Sequence, residues 1–268
     1  MDYERLIAPA AAQMRPSGIR KFFDIAAEMD DCISLGVGEP DFKTPWRIRD
    51  AGIKSLQKGK TTYTANAGLK ELRQEISGYM QRRFGLQYDP LKEVLVTVGG
   101  SEAIDMCIRS LVSPGEEVII PEPCFVCYQP ITTLTGGVPV PVELKAEDQF
   151  RLTPEALKAA ITPKTKLLIM PFPSNPTGAV MEREHLEAIA EDEIYAELNY
   201  GEKPHVSIAS LPAMAERTVV VNGFSKAFAM TGWRMGYACG PEPIIKVMTK
   251  LHQNCIMCAP TTSQYAAV

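Results

Sequence analysis

A lysine, a hydroxyl and an arginine lie in one short segment of the chain, and their types point to chemistry. Lys226 follows Ser225 directly, and Arg234 comes eight residues after Lys226. Glycines at 223, 232 and 236 punctuate this segment, which starts where the apolar run 218–221 ends. The lysine amine can form a Schiff base with an aldehyde, and the hydroxyl and guanidinium can hold a phosphate. A single lysine after a strand is usually a solvated loop residue, but this ordered set favours a ligand with both groups.

Polar groups suited to a nitrogen-containing aromatic ring lie in two other segments. Prolines and a glycine fix the backbone of the loop 171–178, and the Asn175 amide can donate to a ring oxygen. Asp192 can keep a pyridine nitrogen protonated, and Tyr195 can share the contact with the ring oxygen. A rigid turn would explain Asn175 if its segment stood alone. Together with Lys226, these groups match pyridoxal phosphate (PLP), which carries an aldehyde and a phosphate on one ring.

A glycine-containing helix start is a further candidate for the phosphate. The sequence 99–102 follows a predicted strand and opens a predicted helix, so its free backbone N–H groups and the helix dipole favour an anion. Ser101 could instead act only as an N-cap. Phe125 follows another strand and offers an aromatic face for stacking, although an aromatic residue in a core helix is the commoner explanation.

An alternation of strands and helices places these candidates. Short apolar segments predict strands at 93–98, 118–120, 138–142, 166–170, 219–222 and 235–239. Helical spacing and capping residues predict helices at 19–29, 45–57, 69–84, 99–111, 125–134, 153–161, 182–191 and from Pro243 onward. This pattern is typical of an α/β domain, a three-layer sandwich with a mostly parallel central sheet. Ligands of such sheets gather at the carboxyl ends of the strands, where the candidate segments lie.

Composition argues against several other classes of protein. The 268 residues carry a formal net charge of −4, which gives no reason to expect nucleic acid or an acidic membrane surface as a partner. The sequence has no apolar run long enough for a membrane span and no secretory pattern at its N-terminus, which predicts a cytoplasmic protein.

The cysteines and histidines predict neither disulfides nor a metal site. Seven scattered cysteines are an odd number, so a disulfide framework is not expected. The pairs 124/127 and 255/258 have zinc-like spacing, but apolar residues fill both intervals, and buried free thiols are the favoured interpretation. The isolated His185, His205 and His252 are interpreted as surface or packing residues.

The sequence resembles the PLP-dependent aminotransferases of class I/II, which have fold type I. The resemblance runs through the whole chain and is most specific at 174–178, at 192–195 and from Lys226 to Arg234. It implies that Lys226 is the Schiff-base lysine and proton shuttle. Asp192 would then pair with the pyridine nitrogen, and Asn175 and Tyr195 would contact the phenolic oxygen. Phe125 would stack on the ring. The phosphate would be bound by Ser101, Glu102, Ser225 and Arg234.

The resemblance also implies a homodimer and a reaction. Tyr63 would reach the phosphate of the neighbouring subunit, and the Gly38 backbone and Asn175 would lie near the substrate carboxylate. The implied activity is ping-pong transfer of an amino group between an L-amino acid and a 2-oxo acid. Two alternatives stay open: a PLP-dependent β-lyase on the same scaffold, and a non-catalytic PLP-binding module or inactive fragment. The motifs do not select the amino acid or the 2-oxo acid.

Two departures from the family pattern lead to an expected domain division. The predicted helix 182–191 runs directly into Asp192, whereas relatives have a loop and a buried strand before this aspartate. We therefore expect a segment to be missing between 191 and 192, with a strand of roughly 5 residues and its connections. Residues 1–35 are expected to form an N-terminal arm and part of a small domain, and 36–268 the PLP-binding large domain. The C-terminal small domain, with the arginine for the substrate carboxylate, is expected to lie outside the sequence.

Overall fold

The computed structural model describes residues 38–190 and 206–268 throughout, the backbone of 196–198, and part of the N-terminal segment (1, 3–12, 14, 22, 25, 28, 29 and 31). Asp192, Tyr195 and most of the predicted helix 19–29 lie outside the described residues. Within them, seven strands form one sheet. The strands are β1 Val94–Thr97, β2 Glu117–Glu122, β3 Val138–Glu143, β4 Thr165–Pro171, β5 Ala196–Leu198, β6 Val220–Gly223 and β7 Gly236–Cys239.

The helices of the described residues alternate with these strands over most of the chain. The α-helices are α1 Pro9–Ala12, α2 Trp46–Gln57, α3 Lys70–Phe84, α4 Gly99–Leu111, α5 Tyr128–Leu134, α6 Pro154–Ala160, α7 Arg183–Ala190, α8 Glu242–Ile256 and α9 Thr261–Ala267. Short 3₁₀ helices lie at Tyr3–Arg5, Ile208–Ser210, Ala215–Arg217 and Thr231–Trp233. None of the helices in this part of the chain has both the length and the apolar character that crossing a membrane requires.

The strand order is β1-β7-β6-β5-β4-β2-β3, and six of the seven strands share one direction. The seventh of these strands, β7, runs in the opposite direction, since it pairs antiparallel with both β1 and β6. Its register sets Val94 opposite Cys239 and Gly223 opposite Gly236. The predicted mostly parallel α/β fold is confirmed. The direction of β7 was not predicted, because apolar periodicity carries no information on strand direction.

Helices cover both faces of the sheet, which gives three layers. On one face, Leu95 and Ile120 belong to a buried cluster with side chains of α4 and α8, among them Met106 and Met248. On the opposite face, Val94 and Val96 pack with α3 and α9. Farther along that face, strands β2 to β4 pack against α6 and α7. Because successive side chains of a strand point to opposite faces, the continuous apolar sequence of β1 supplies both layers.

Local sequence signals account for several helix ends. Thr153 accepts a hydrogen bond from the Ala156 N–H at 3.2 Å and caps α6, as predicted, and Gly85 ends α3 in a left-handed conformation. The largest difference from the predicted helices is at α5, which begins at Tyr128 and not near Phe125. Neither β5 nor α9 was predicted, because segments of three and seven residues with few apolar side chains carry little periodic signal.

Candidate active site

Four loops that carry predicted site residues leave one edge of the sheet. β1, β2, β4 and β6 all point in the same direction. Their carboxyl ends lead to the segments that contain Ser101, Phe125, Asn175 and Lys226, in that order. The topology therefore collects these distant segments on the edge where ligands of parallel sheets bind.

The start of α4 is open to an anion. Val98, at the N-cap position, makes no side-chain hydrogen bond to the first turn. The N–H groups of that turn have no intrahelical acceptor, and the helix dipole adds partial positive charge at the same place. Ser101 lies in this turn and is exposed. Such an uncapped helix start is suited to a phosphate group.

The guanidinium of Arg234 packs against this helix start. Gly99 has a φ of +71°, and a β-carbon there would lie 2.6 Å from Arg234 Nη2. A β-carbon on Gly236 would lie 2.5 Å from the carbonyl carbon of Gly99. The two glycines therefore allow β7 and the arginine to approach the turn closely. The result is a cradle with a guanidinium and free N–H groups, whose shape and charge fit a phosphate.

The amine of Lys226 lies beside the backbone of Gly38. Lys226 Nζ donates a hydrogen bond to the Gly38 carbonyl oxygen, and the lysine side chain is otherwise exposed. Hydrogen bonds of Thr44 also join the segment after Gly38 to the segment after Lys226. Thr44 Oγ1 donates to the Ala229 carbonyl at 2.5 Å and accepts from the Trp233 Nε1–H at 3.1 Å. The lysine and the backbone predicted to face the substrate carboxylate, 188 residues apart, are neighbours.

The connection between β6 and β7 is folded back on itself, which fixes the spacing of its polar groups. The carbonyl of the half-buried Ser225 accepts from the Met230 N–H at 3.0 Å. Arg234 has a left-handed φ of +53°, and its Nη1 donates to the Thr231 carbonyl at 3.1 Å. The arginine is therefore held by its own loop as well as by the contact with the α4 start.

Asn175 is exposed in a tight loop that follows β4. The Gly178 N–H donates to the Ser174 carbonyl at 2.8 Å, and the Ser174 N–H donates to the Ala179 carbonyl at 2.8 Å. These bonds close the loop around Asn175, whose side chain stays exposed. Asp192 and Tyr195, its predicted partners at the ring, lie outside the described residues.

Phe125 and Tyr63 are the two aromatic residues assigned to the site, and their surroundings differ. Phe125 has 37% of its side chain exposed and makes an edge-on contact with Tyr128, with ring centroids 6.0 Å apart. Tyr63 is 79% exposed. The loop around Tyr63 is fastened to α9, because Gln264 Nε2 donates to Thr64 Oγ1 at 2.9 Å and Thr261 Oγ1 donates to the Thr62 carbonyl at 2.9 Å.

The side chain of Glu102 is directed into the protein. Its Oε2 accepts from the Val98 N–H at 2.5 Å, and its Oε1 lies 3.0 Å from Nδ1 of His252. The sequence assigned Glu102 to the phosphate. Because both carboxylate oxygens of Glu102 have these partners, only the backbone N–H of Glu102 is available to a phosphate at the start of α4.

His252 is a residue that sequence reasoning did not connect with the site. It was interpreted as a surface or packing residue; it is fully buried in α8. Its partner lies 150 residues earlier in the chain. The placement of His252 four residues after the buried Met248, on the inner side of an amphipathic helix, could have shown that it is buried. It could not have shown which residue it contacts.

The cysteine pairs do not assemble a metal site in the described part of the chain, where no group of three or more potential ligands occurs. Burial raises the pKa of the Cys124 and Cys127 thiols to about 12. These thiols are therefore protonated near neutrality, which is unfavourable for metal binding.

Comparison with known proteins shows the family of this chain. The family described as "Aminotransferase class I and II" matches residues 30–268. A putative aminotransferase of Bacillus subtilis, YugH, is 55% identical over an alignment of 267 positions, which covers 96% of this chain and 69% of the relative. The aspartate aminotransferase of Geobacillus stearothermophilus is 44% identical over 278 residues, with 98% of this chain and 70% of the relative covered. Because that alignment is longer than the 268 residues of this chain, the relative has residues without a counterpart here.

A solved structure shares the fold as well as the sequence. The aspartate aminotransferase of Thermus thermophilus with maleate superimposes with a TM-score of 0.90 at 38% identity, over 97% of this chain and 71% of that structure. The names of these relatives support amino-group transfer and give no support to the lyase or the non-catalytic alternative. The chain belongs to the class I and II aminotransferases, which are PLP-dependent enzymes that transfer an amino group.

Proposed function

We propose that this aminotransferase holds PLP at the carboxyl edge of the sheet, with the phosphate in the cradle between the α4 start and Arg234. The observation that carries the proposal is the close approach of the Arg234 guanidinium to Gly99, at an uncapped helix N-terminus. Ser225 and the turn containing Ser101 and Glu102 complete the proposed phosphate contacts. Arg234 follows Lys226 by eight residues in the same connection between β6 and β7, and the ring of a ligand bound by its phosphate in the cradle is proposed to extend toward the lysine amine.

Lys226 is the proposed catalytic base and acid. PLP supplies an aldehyde that condenses with amines and a ring that withdraws electrons from the α-carbon of a bound amino acid. Lys226 Nζ removes the proton from that α-carbon and later returns a proton. The hydrogen bond of Nζ to the Gly38 carbonyl sets the amine beside the backbone proposed to face the substrate carboxylate.

The remaining ring contacts are proposed from the resemblance together with the position of the loops. Asn175 would donate to the phenolic oxygen from the loop after β4, and Phe125 would stack on the ring from the loop after β2. Asp192 would keep the pyridine nitrogen protonated, and Tyr195 would share the oxygen contact with Asn175.

A homodimer is part of the proposal. Tyr63 is 79% exposed on a loop fastened to α9, and the large side chains of Phe42 and Trp46 are also exposed, by 74% and 61%. Exposed aromatic side chains of this kind are typical of interfaces between subunits. Tyr63 would then contact the phosphate bound by the partner subunit.

The domain division also remains a proposal: an N-terminal arm over 1–35, and a large domain over 36–268 from which a segment between 191 and 192 is missing. The aligned length of the G. stearothermophilus relative supports the missing segment. The mass of a proteolytic peptide that spans Glu191 and Asp192 in the isolated protein tests it. A peptide mass that matches Glu191 bonded directly to Asp192 would contradict a missing segment. We further propose a cytoplasmic location, in keeping with the free, exposed thiol of Cys255.

Reduction with borohydride tests the role of Lys226. When PLP-loaded protein is reduced, we expect one peptide, the one containing Lys226, to gain the mass of the reduced cofactor. Lys226→Ala should abolish the label, whereas Lys250→Ala, which removes an exposed lysine of α8, should leave it unchanged. A label on another lysine in the wild-type protein would contradict the assignment.

The substrate is tested with a screen of amino donors. Aspartate with 2-oxoglutarate is the first pair, since two of the relatives described above are named aspartate aminotransferases. Amino transfer that requires the 2-oxo acid is the expected result. Release of pyruvate and ammonia from an amino acid alone would favour the lyase.

A further inference from the structure

A buried histidine and a carboxylate lie directly behind the proposed phosphate cradle. His252 has none of its surface exposed, and its Nδ1 lies 3.0 Å from Glu102 Oε1. Its other ring nitrogen, Nε2, has no hydrogen-bond partner among the described residues. The Nδ1–H tautomer suits these surroundings, because it donates to the carboxylate and leaves no buried N–H group without an acceptor.

The contact with His252 determines where the charge of Glu102 points. Glu102 lies in the first turn of α4, whose N–H groups and neighbouring Arg234 would receive the phosphate. The Val98 N–H and His252 Nδ1 each engage one oxygen of the carboxylate. Without the histidine, one oxygen would be left without a partner in a partly buried place, where an unpaired charged group is unfavourable. Rotation toward the α4 opening would solvate it, but it would then repel a phosphate and compete for Arg234.

We propose that His252 is a positioning residue for the cofactor phosphate. It holds the Glu102 carboxylate against the Val98 N–H, so that the α4 start presents N–H groups and Arg234, and not a carboxylate, to the phosphate. This inference rests on the proposed phosphate site. It concerns only that part of the ligand, so a ligand without a phosphate should not depend on His252.

The test compares PLP with pyridoxal, which has the same ring and aldehyde but no phosphate. The dissociation constants of both are measured by absorbance titration of apoprotein. In His252→Leu, the preference for PLP over pyridoxal should fall roughly tenfold or more, as expected for loss of one hydrogen bond to a charged group. His252→Asn can place an amide N–H near the position of Nδ1 and should retain the preference to within about threefold.

A double variant separates the charge of Glu102 from the packing of His252. In Glu102→Gln/His252→Leu no carboxylate remains to turn toward the phosphate, so the preference for PLP should recover. A packing role alone would weaken PLP and pyridoxal equally in His252→Leu, and that result would overturn the inference. If His252→Leu does not fold, His252→Met, with a flexible apolar side chain, carries the same expectation.

The wild-type protein distinguishes failure of this inference from failure of the proposed site. If it binds PLP and pyridoxal equally well, the phosphate cradle is wrong and the role of His252 is wrong with it. If it prefers PLP and the preference is unchanged in His252→Leu, the cradle stands and only the inference about His252 is overturned.

Discussion

The guanidinium of Arg234 lies so close to the α-carbon of Gly99 that a methyl group on that carbon would be 2.6 Å from Arg234 Nη2. This contact joins the start of α4 to the segment that carries Lys226, across 135 residues of sequence. It also means that the proposed phosphate cradle depends on the absence of a side chain at one position.

Gly99→Ala should weaken PLP binding by roughly tenfold or more, because the new methyl group displaces the guanidinium from the cradle. The left-handed φ of +71° adds a stability loss of about 1–2 kcal/mol. Gly85→Ala is the matched control, since Gly85 has a φ of +72° and open space where a β-carbon would lie. Both variants should lose stability in urea unfolding, and only Gly99→Ala should lose affinity for PLP. Equal PLP affinity in the two variants would contradict the cradle.

Gln264→Ala should destabilise the protein, because this fully buried side chain joins three segments. Its Oε1 accepts from the Leu69 N–H at 2.7 Å, and its Nε2 donates to Thr64 Oγ1 and to the Ala259 carbonyl. Each buried polar group left without a hydrogen-bond partner lowers the free energy of unfolding by about 1–3 kcal/mol. We expect a clear shift of the urea midpoint, whereas Gln253→Ala, at an exposed position of α8, should shift it little. Equal shifts would show that the Gln264 bonds do not stabilise this region.

Mixed dimers should show whether Tyr63 acts in the partner's site. Tyr63→Ala and Lys226→Ala each inactivate their own homodimer under the proposal. When the two are unfolded together and refolded, each mixed dimer has one site with both defects and one intact site. Activity should return to about a quarter of the wild-type value at equal amounts, as random pairing of subunits predicts.

Asn175→Ala mixed with Lys226→Ala provides the control for this experiment. Both residues are proposed to serve the site of their own subunit, so neither site of the mixed dimer is intact and activity should not return. If the Tyr63→Ala mixture also stays inactive, the proposed crossing of Tyr63 is wrong.

Thiol labelling should separate the cysteines by their surroundings. Burial raises the pKa of Cys107 to about 12 and raises that of Cys239 as well, so at pH 8 both stay almost entirely as thiols. Cys255 is exposed. A limiting amount of iodoacetamide at pH 8 should therefore label Cys255 before Cys107 and Cys239, as peptide mass spectrometry would show. In Cys255→Ser this early label should disappear, and early labelling of Cys107 or Cys239 would contradict the buried positions.

Most of the fold could be predicted from the sequence, because its helices and strands carry local signals. The apolar segments predicted β1, β2, β4, β6 and β7, and the spacing of apolar residues predicted α3 and α4. β5 was not predicted, since three residues give no pattern, and the antiparallel direction of β7 depends on pairing with distant strands. Asp192 and Tyr195, predicted at the ring, stay predictions.

By itself the sequence determined the chemistry. It contains a lysine amine, an arginine and polar groups suited to a pyridine ring, in an order that predicted PLP and amino transfer. Side-chain type and spacing along the chain were sufficient for that, because the reactive groups belong to short segments. Only the tertiary structure decided which groups meet. It set Arg234 on Gly99, brought Lys226 to the Gly38 carbonyl and turned Glu102 toward His252. These contacts join residues more than 100 positions apart. They follow from the order and direction of the strands, which local propensity does not encode.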